Sequence, residues 1–402
     1  MIMLCVLKTL LIPQISLTIS SSMIYSLRSE TSNLSELFVK TKKHLARIET
    51  LLGDIFTEMG GFDDIREPEG KNARSEMLLV AKSSCRSFQF VVKVRERITP
   101  QIADDLFSRF QNDCPQENVV LLVYAPVISP RVAEIARKYD ISYLDSAGNC
   151  RIVNHATGLL ISRTGHENKD SIPKQPTTDP FSPKSSRIIR AMLHQPKRGW
   201  QVSELAKHSD VRVSMGLASK VKRELVRESY AVVRDRLLYL KQPLELLTAW
   251  TRNYSGPLSQ QQFYMGGDTN EIEKRISRWC EKSNVEYALA RFSAGWRLAA
   301  EVRYSVASVY VNAKAMLPQA MGRLRSECDI KEVESGANLI LLTPFDESVF
   351  VRYVSKPERT TSALQTYLDL RSMAGRGSEA ADAIFEKYLR KELETSPEKE
   401  SA

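Results

Sequence analysis

Cysteine is scarce and scattered: Cys5, Cys85, Cys114, Cys150, Cys280 and Cys328 are spread over 402 residues with no CxxC pair. That distribution argues against a disulfide framework and against a zinc site, and fits reduced thiols in a cytoplasmic protein. Histidine is just as thin. The five histidines lie far apart and form no HxxxH pair, so a metal centre built from His and Cys is not expected. No cofactor is expected either. The C-terminal third has no phosphate-cradling glycine loop, no lysine in a glycine turn and no nucleophile with an adjacent base. Hydrophobic residues at 43% and charged residues at 26% exclude disordered and collagen-like classes. The apolar first 23 residues, MIMLCVLKTLLIPQISLTISSSM, lack a basic leading region, place Lys8 inside the run and break at Pro13. Neither a signal peptide nor a membrane span fits them. Residues 1–30 are either an apolar extension or a start assigned too early, with Met23 as the initiator.

Net positive charge is missing from most of the chain. Residues 184–254 carry fifteen Lys or Arg against six Asp or Glu, an excess of nine that equals the net charge of the whole protein. Everything outside this segment sums to zero. Charge concentrated in one patterned segment points to a polyanion partner.

The periodicity divides the rest. Residues 31–59 read as a helix stopped by Gly60-Gly61. From residue 75 the pattern becomes strands at 77–80, 88–94, 119–125, 141–144, 150–153 and 158–161, with helices at 100–110 and 130–139. Ser129-Pro130 opens the second helix with a cap and a first-turn proline. Alternating strands and helices imply a small mixed-sheet α/β domain over 31–163. Residues 164–183 hold four prolines and read as an extended linker. A C-terminal α+β region at 262–394 is expected to contain helices near 271–282 and 317–327, and strands near 308–311, 338–343 and 349–353. Two closing helices, 362–371 and 378–393, follow, joined at Gly375-Arg376-Gly377, with a frayed tail at 395–402.

Within the basic segment the spacing predicts helices at 187–193, 203–209 and 214–228, then a hairpin of strands 230–233 and 237–240. That order is a winged helix-turn-helix. Leu217, Val221 and Leu225 make the inner face of the third helix, leaving Met215, Gly216, Ser219, Lys220 and Arg223 outward. Ser214 is its cap. Residues near the start of such a helix reach base edges, and Arg or Lys pairs with guanine. Lys222, Arg227 and the tip residues Arg234 and Arg236 suit phosphates. The bland alternative is a solvated helix face or a protein-contact module.

The APxISP turn (Ala125–Pro130), the YLDxAGN segment (Tyr143–Asn149), QTYLDL (Gln365–Leu370) and GRGSEAA (Gly375–Ala381) resemble the AbiEi-type antitoxins of type IV toxin–antitoxin systems. The resemblance is to the form with a restriction-endonuclease-like domain ahead of a winged helix, and it spans most of the chain after residue 75. It implies a repressor of its own operon, a role in phage abortive infection, promoter repeats as double-stranded DNA partner, and a nucleotidyltransferase-like toxin opposed with or without direct contact. It implies no membrane partner. It also implies a nuclease-like sheet, in which an Asp and a Glu-x-Lys pair would hold Mg²⁺. Here Lys93 stands where the Glu belongs and Arg95 where the Lys belongs. Glu76 offers one carboxylate and Glu96 is out of register. The domain is therefore expected to be inactive, with no catalytic residue. A metal-dependent nuclease and a stand-alone regulator are the alternatives.

Several residues carry two readings. Lys93 and Arg95 are phosphate contacts or edge-strand charges that discourage aggregation. Asp145 and Asn149 are a tight turn or a site. Gln365, Tyr367 and Asp369 line a groove or face inward on a helix whose apolar side is Leu364, Tyr367, Leu368 and Met373. Arg376 is a candidate functional turn, since little else explains a cation between two glycines.

Overall fold

The computed structural model describes residues 44, 46–56, 64–66, 77–82, 87–110, 119–166, 178–351 and 359–394. The apolar start, the Gly60-Gly61 stop, Glu76, the middle of the proline-rich linker and the tail lie outside them. The architecture is α+β and multidomain. It divides into two compact units, one running to residue 172 and the other over 173–402, with residues 99–101 assigned to the second.

The first unit is a seven-stranded sheet whose strands lie side by side in chain order: β1 (Asp64–Arg66), β2 (Met77–Lys82), β3 (Ser87–Val94), β4 (Val119–Ala125), β5 (Ser142–Asp145), β6 (Cys150–Asn154) and β7 (Leu159–Arg163). The β3–β4 and β4–β5 pairs are parallel and the others antiparallel. Parallel neighbours need a crossover, supplied by α2 (Pro100–Phe110) and α3 (Pro130–Lys138). Strand β4 shows why the continuous apolar run was needed. Val120, Leu122 and Tyr124 pack on one side with Ile48, Leu52 and Phe56 of α1 (residues 46–56), while Val123 and Ala125 pack on the other with Phe107, Val132 and Ala136. Ser129 caps α3 as its sequence indicates, its hydroxyl accepting from the Val132 amide.

In the second unit, α4 (Pro183–His194), α5 (Val202–Lys207) and α6 (Met215–Arg227) precede a hairpin of β8 (Ala231–Arg234) and β9 (Leu237–Leu240). Trp200 pairs with Leu238 through both backbone hydrogen bonds, at 3.0 and 2.9 Å, adding a third extended segment beside β9. Gly199 permits this approach, because a Cβ there would lie 2.4 Å from the Tyr239 ring. Helix α7 (Pro243–Asn253) was not expected from the sequence; Leu246, Leu247 and Trp250 carry it into the same core.

The remaining sheet has the order β11-β12-β14-β10-β13: β10 (Ser259–Met265), β11 (Tyr287–Leu289), β12 (Ala307–Val311), β13 (Ile330–Glu332) and β14 (Leu339–Thr343). Helices α8 (Thr269–Lys282) and α10 (Pro318–Cys328) share one core with it, through Ile272, Ile276 and Trp279 and through Met321 and Leu324. Strand β10 was not expected, since its SQQQ start shows no apolar run; nor were the three-residue strands β11 and β13 or helix α9 (Arg291–Leu298). The strand expected at 349–353 is instead a 3-10 turn at Glu347–Phe350 in its described part. Asp346 caps that turn by accepting from the Ser348 amide, and Val349 and Phe350 bury their side chains instead of pairing.

Helix α11 (Ala363–Arg371) is capped by Ser362. The helix expected at 378–393 starts one residue earlier and stays helical to Glu394, with one change of winding. It runs as α12 (Gly377–Ile384), a wider turn at Phe385–Leu389 and α13 (Arg390–Glu394). Arg376 occupies the cap position of α12, with no side-chain cap bond.

Candidate nucleic-acid interface

Helix α6 begins where the Ser214 hydroxyl accepts from the Leu217 amide at 3.2 Å. Ser214 is thus committed to capping its own helix. The inward face is Ala218, Val221, Glu224 and Leu225. Leu217, expected inside, is half-buried and packs against the same core, at whose centre Ala218 joins Val221 and Leu225. The outward stripe is as the spacing indicates: Met215, Gly216, Ser219, Lys220 and Arg223 are all exposed, and Lys222 is half-buried. The exposure of Met215 reaches 45%, high for an apolar side chain at a helix start.

The hairpin tip is a two-residue turn, Asp235-Arg236, with φ of 48° and 65°. Both are left-handed, the geometry whose twist matches a right-handed strand pair. Arg234 ends β8 and is exposed, as is Arg236. The structure thus brings the outward stripe of α6 and the hairpin tip into one module.

Not all of the segment's charge is on that surface. Arg190 is 1% exposed, its guanidinium 5.2 Å from the Trp250 ring. Arg187 donates from Nε and Nη2 to the Asp346 carboxylate, the shortest contact being 2.7 Å. Burial pushes the Asp346 carboxyl up, but hydrogen bonds from Arg187 and Ser348 outweigh it and hold it below its usual value. Arg227, expected at a phosphate, is instead gripped by Glu224 and by Glu228, the latter at 2.7 Å. Its counter-charges sit one helical turn back and one residue on, a spacing visible in the sequence.

The other candidates resolve into structural roles. Asp145 is 1% exposed, and its Oδ1 accepts from the Ala147 and Asn149 amides at 3.0 and 2.9 Å while Oδ2 accepts from Asn149 Nδ2 at 2.9 Å. Asn149 also exchanges hydrogen bonds with the backbone of His166. This is a tight turn clamping the sheet end. Lys93 lies 3.5 Å from the centroid of the Phe110 ring on α2. Strand β3 ends at Val94, and the Arg95 guanidinium turns back to the Val94 carbonyl at 3.0 Å. Lys93 is not on an edge strand, since β3 sits between β2 and β4. Glu96 pairs with His44 at 3.2 Å. Among the described residues no three His, Cys, Asp or Glu side chains cluster as a metal site.

Gln365 and Asp369 are buried, at 0% and 1% exposure, in a polar network and not in a groove. Asp369 Oδ1 accepts from Tyr254 at 2.5 Å and from Tyr310 and Gln365 at 2.9 Å each, and Gln365 Oε1 accepts from Arg190 at 2.6 Å. Burial raises the Asp369 carboxyl above its usual range, against the pull of these donors. Burial together with the Asp369 charge pushes both tyrosines well up, so they stay donors. Tyr367 packs in the main core, near Phe385. Arg376 is exposed beside Glu379 at 3.5 Å.

Residues 239–390 match the family model described as "Transcriptional regulator, AbiEi antitoxin, Type IV TA system". This part of the chain is similar to the AbiEi antitoxins. The matched span runs from within β9 to the first residue of α13, and so takes in QTYLDL and GRGSEAA but neither α6 nor the N-terminal motifs. None of the curated proteins and none of the solved structures matches the chain. The matched segment and the three-helix module share one core: Leu205, Val221 and Leu225 belong to the same cluster as Leu368, Ala381 and Leu393. No helix among the described residues is long and apolar enough to cross a membrane.

Proposed function

We propose that the protein is a DNA-binding repressor, the antitoxin of a type IV toxin–antitoxin pair that represses its own operon. The observation that carries this reading is the exposed stripe of Met215, Ser219, Lys220 and Arg223 on a capped helix, built into the same core as the AbiEi segment. Residues 184–254 are a winged helix-turn-helix, α6 its reading helix and β8–β9 its wing. Lys220 and Arg223 address base edges. Lys222, Arg234 and Arg236 hold phosphates, which position without specifying. Arg227 acts through α6, because its charge is already spent on Glu224 and Glu228.

The DNA partner is the promoter of the protein's own gene, at inverted or direct repeats. The toxin is a nucleotidyltransferase-like protein whose effect is opposed without a requirement for contact. The setting is cytoplasmic, in defence by abortive infection. The N-terminal sheet contributes no nuclease centre: Lys93 is engaged with Phe110 where a metal-binding carboxylate would be needed. Nor is a cation at that position compatible with Mg²⁺.

A gel shift on the DNA upstream of the gene tests this. Replacing Lys220 and Arg223 together by Ala should weaken specific binding by about 2–6 kcal/mol, from roughly 1–3 per base contact. Unchanged operator affinity would remove α6 as the reading helix.

A further inference from the structure

Backbone strain singles out two arginines in this module. Among the described residues, eight non-glycines have positive φ, and most are Asp, Asn or Ser. Short polar side chains tolerate the left-handed region, whereas a long unbranched cation gains nothing from it. Three arginines are nonetheless there: Arg212, Arg236 and Arg291. Arg291 has a partner to account for it, donating to Gln260 at 3.0 Å. Arg212 and Arg236 are exposed and, among the described residues, their guanidinium groups make no hydrogen bond, ion pair or ring contact.

Arg212 lies in the turn between α5 and α6, with φ of 45°. The turn is fixed by others. Val211 is fully buried, the Val211 and Arg212 amides donate to the His208 carbonyl, and the Val213 amide donates to Ala206. The chain must be left-handed at position 212 whatever the side chain, and glycine would take that conformation without cost. Arg236 occupies the second position of the hairpin turn, where glycine is the ordinary occupant. At both points the fold would be served better by glycine, and at both the sequence places a solvent-facing cation. Strain kept without a compensating contact inside the protein indicates a contact outside it.

We propose that Arg212 is a further phosphate-gripping residue, holding the DNA backbone at the approach to α6 as Arg236 does at the wing. The inference rests on the reading of this module as a duplex-DNA binder. The two arginines flank the outward stripe in sequence, one before α6 and one after it, and their positions are set by backbone turns instead of flexible loops. A guanidinium on a rigid turn offers a planar fork to phosphate oxygens at reduced entropic cost.

Binding of a random-sequence DNA duplex, followed by fluorescence anisotropy across a salt series, tests this with the full chain. Arg212→Gly should melt no lower than wild type, since glycine relieves the turn, yet bind roughly three- to tenfold more weakly. Its log–log salt slope should be shallower by about one. Arg212→Lys should retain most of the affinity, and Arg236→Gly should behave like Arg212→Gly. Equal affinity and slope in Arg212→Gly and wild type would overturn the inference, as would a marked fall in its melting temperature, which would make the side chain structural. Failure of the wild type itself to show salt-dependent binding would instead overturn the DNA-binding reading on which this rests.

Discussion

Asp369 is held by three donors on one oxygen while the other, Oδ2, makes no hydrogen bond. A buried carboxyl whose proton affinity is raised contributes most below the ordinary carboxylate range and loses that contribution as pH rises through its folded-state value. Asparagine reproduces the acceptor without the charge. Asp369→Asn should stay within about 1 kcal/mol of wild type at neutral pH, whereas Asp369→Ala, which strands two tyrosine hydroxyls and an amide, should cost about 3 kcal/mol. Urea denaturation of both variants checks the contrast, and equal losses would mean that packing dominates. The sequence showed Gln365 and Asp369 on one helix. It gave no hint that Arg190, Tyr254 and Tyr310 converge on them, because those partners come from three other elements.

The junction of α11 and α12 is the tightest point of the C-terminal helices. A Cβ at Gly377 would sit 2.5 Å from the Leu370 carbonyl oxygen and 2.8 Å from the Met373 Cβ. Backbone cannot yield as a side-chain end can. Gly377→Ala should lower stability by about 1–3 kcal/mol, read as a drop in denaturation midpoint, with Gly375 supplying the left-handed residue (φ 69°) that starts the reversal. Most elements of this kind were legible. The Ser129 and Ser214 caps, the alternation around β4 and the three helices before the hairpin all follow from local pattern. Helix α7 and strand β10 were not, since PLELLTAWTRN lies beyond the segment's obvious hairpin and SQQQ has no apolar period. The 3-10 turn at Glu347–Phe350 was mistaken for a strand because its apolar residues bury without pairing.

At the scale of the whole molecule, charge decides both acid sensitivity and binding. Burial, reinforced by Arg190, pulls the His194 imidazole down to about 3. The unfolded chain then takes up the proton first. The stability this histidine contributes is full above about pH 6.5 and is lost as pH falls toward its folded-state value. The depressed Asp346 adds a second loss, present above its ordinary value and surrendered as pH falls through the lowered one. Asp369 works in the opposite direction. The difference in stability between about pH 7 and pH 5 should therefore shrink in His194→Gln relative to wild type. Chemical denaturation at the two pH values measures it, and an unchanged difference would place the acid sensitivity elsewhere.

By itself the sequence determined that positive charge is gathered into one patterned segment, and that its third helix turns Met215, Ser219, Lys220 and Arg223 outward. Helical periodicity and capping are local properties, so they can be read from neighbours along the chain. Only the tertiary structure decided how that charge is used. It buried Arg190 and tied Arg187 to Asp346 and Arg227 to its own helix. It also set Arg212 and Arg236 in left-handed turns facing solvent. Whether a cation is a structural strut or an open hand depends on partners as much as 175 positions away, as Arg190 and Gln365 are, and no local pattern carries that information.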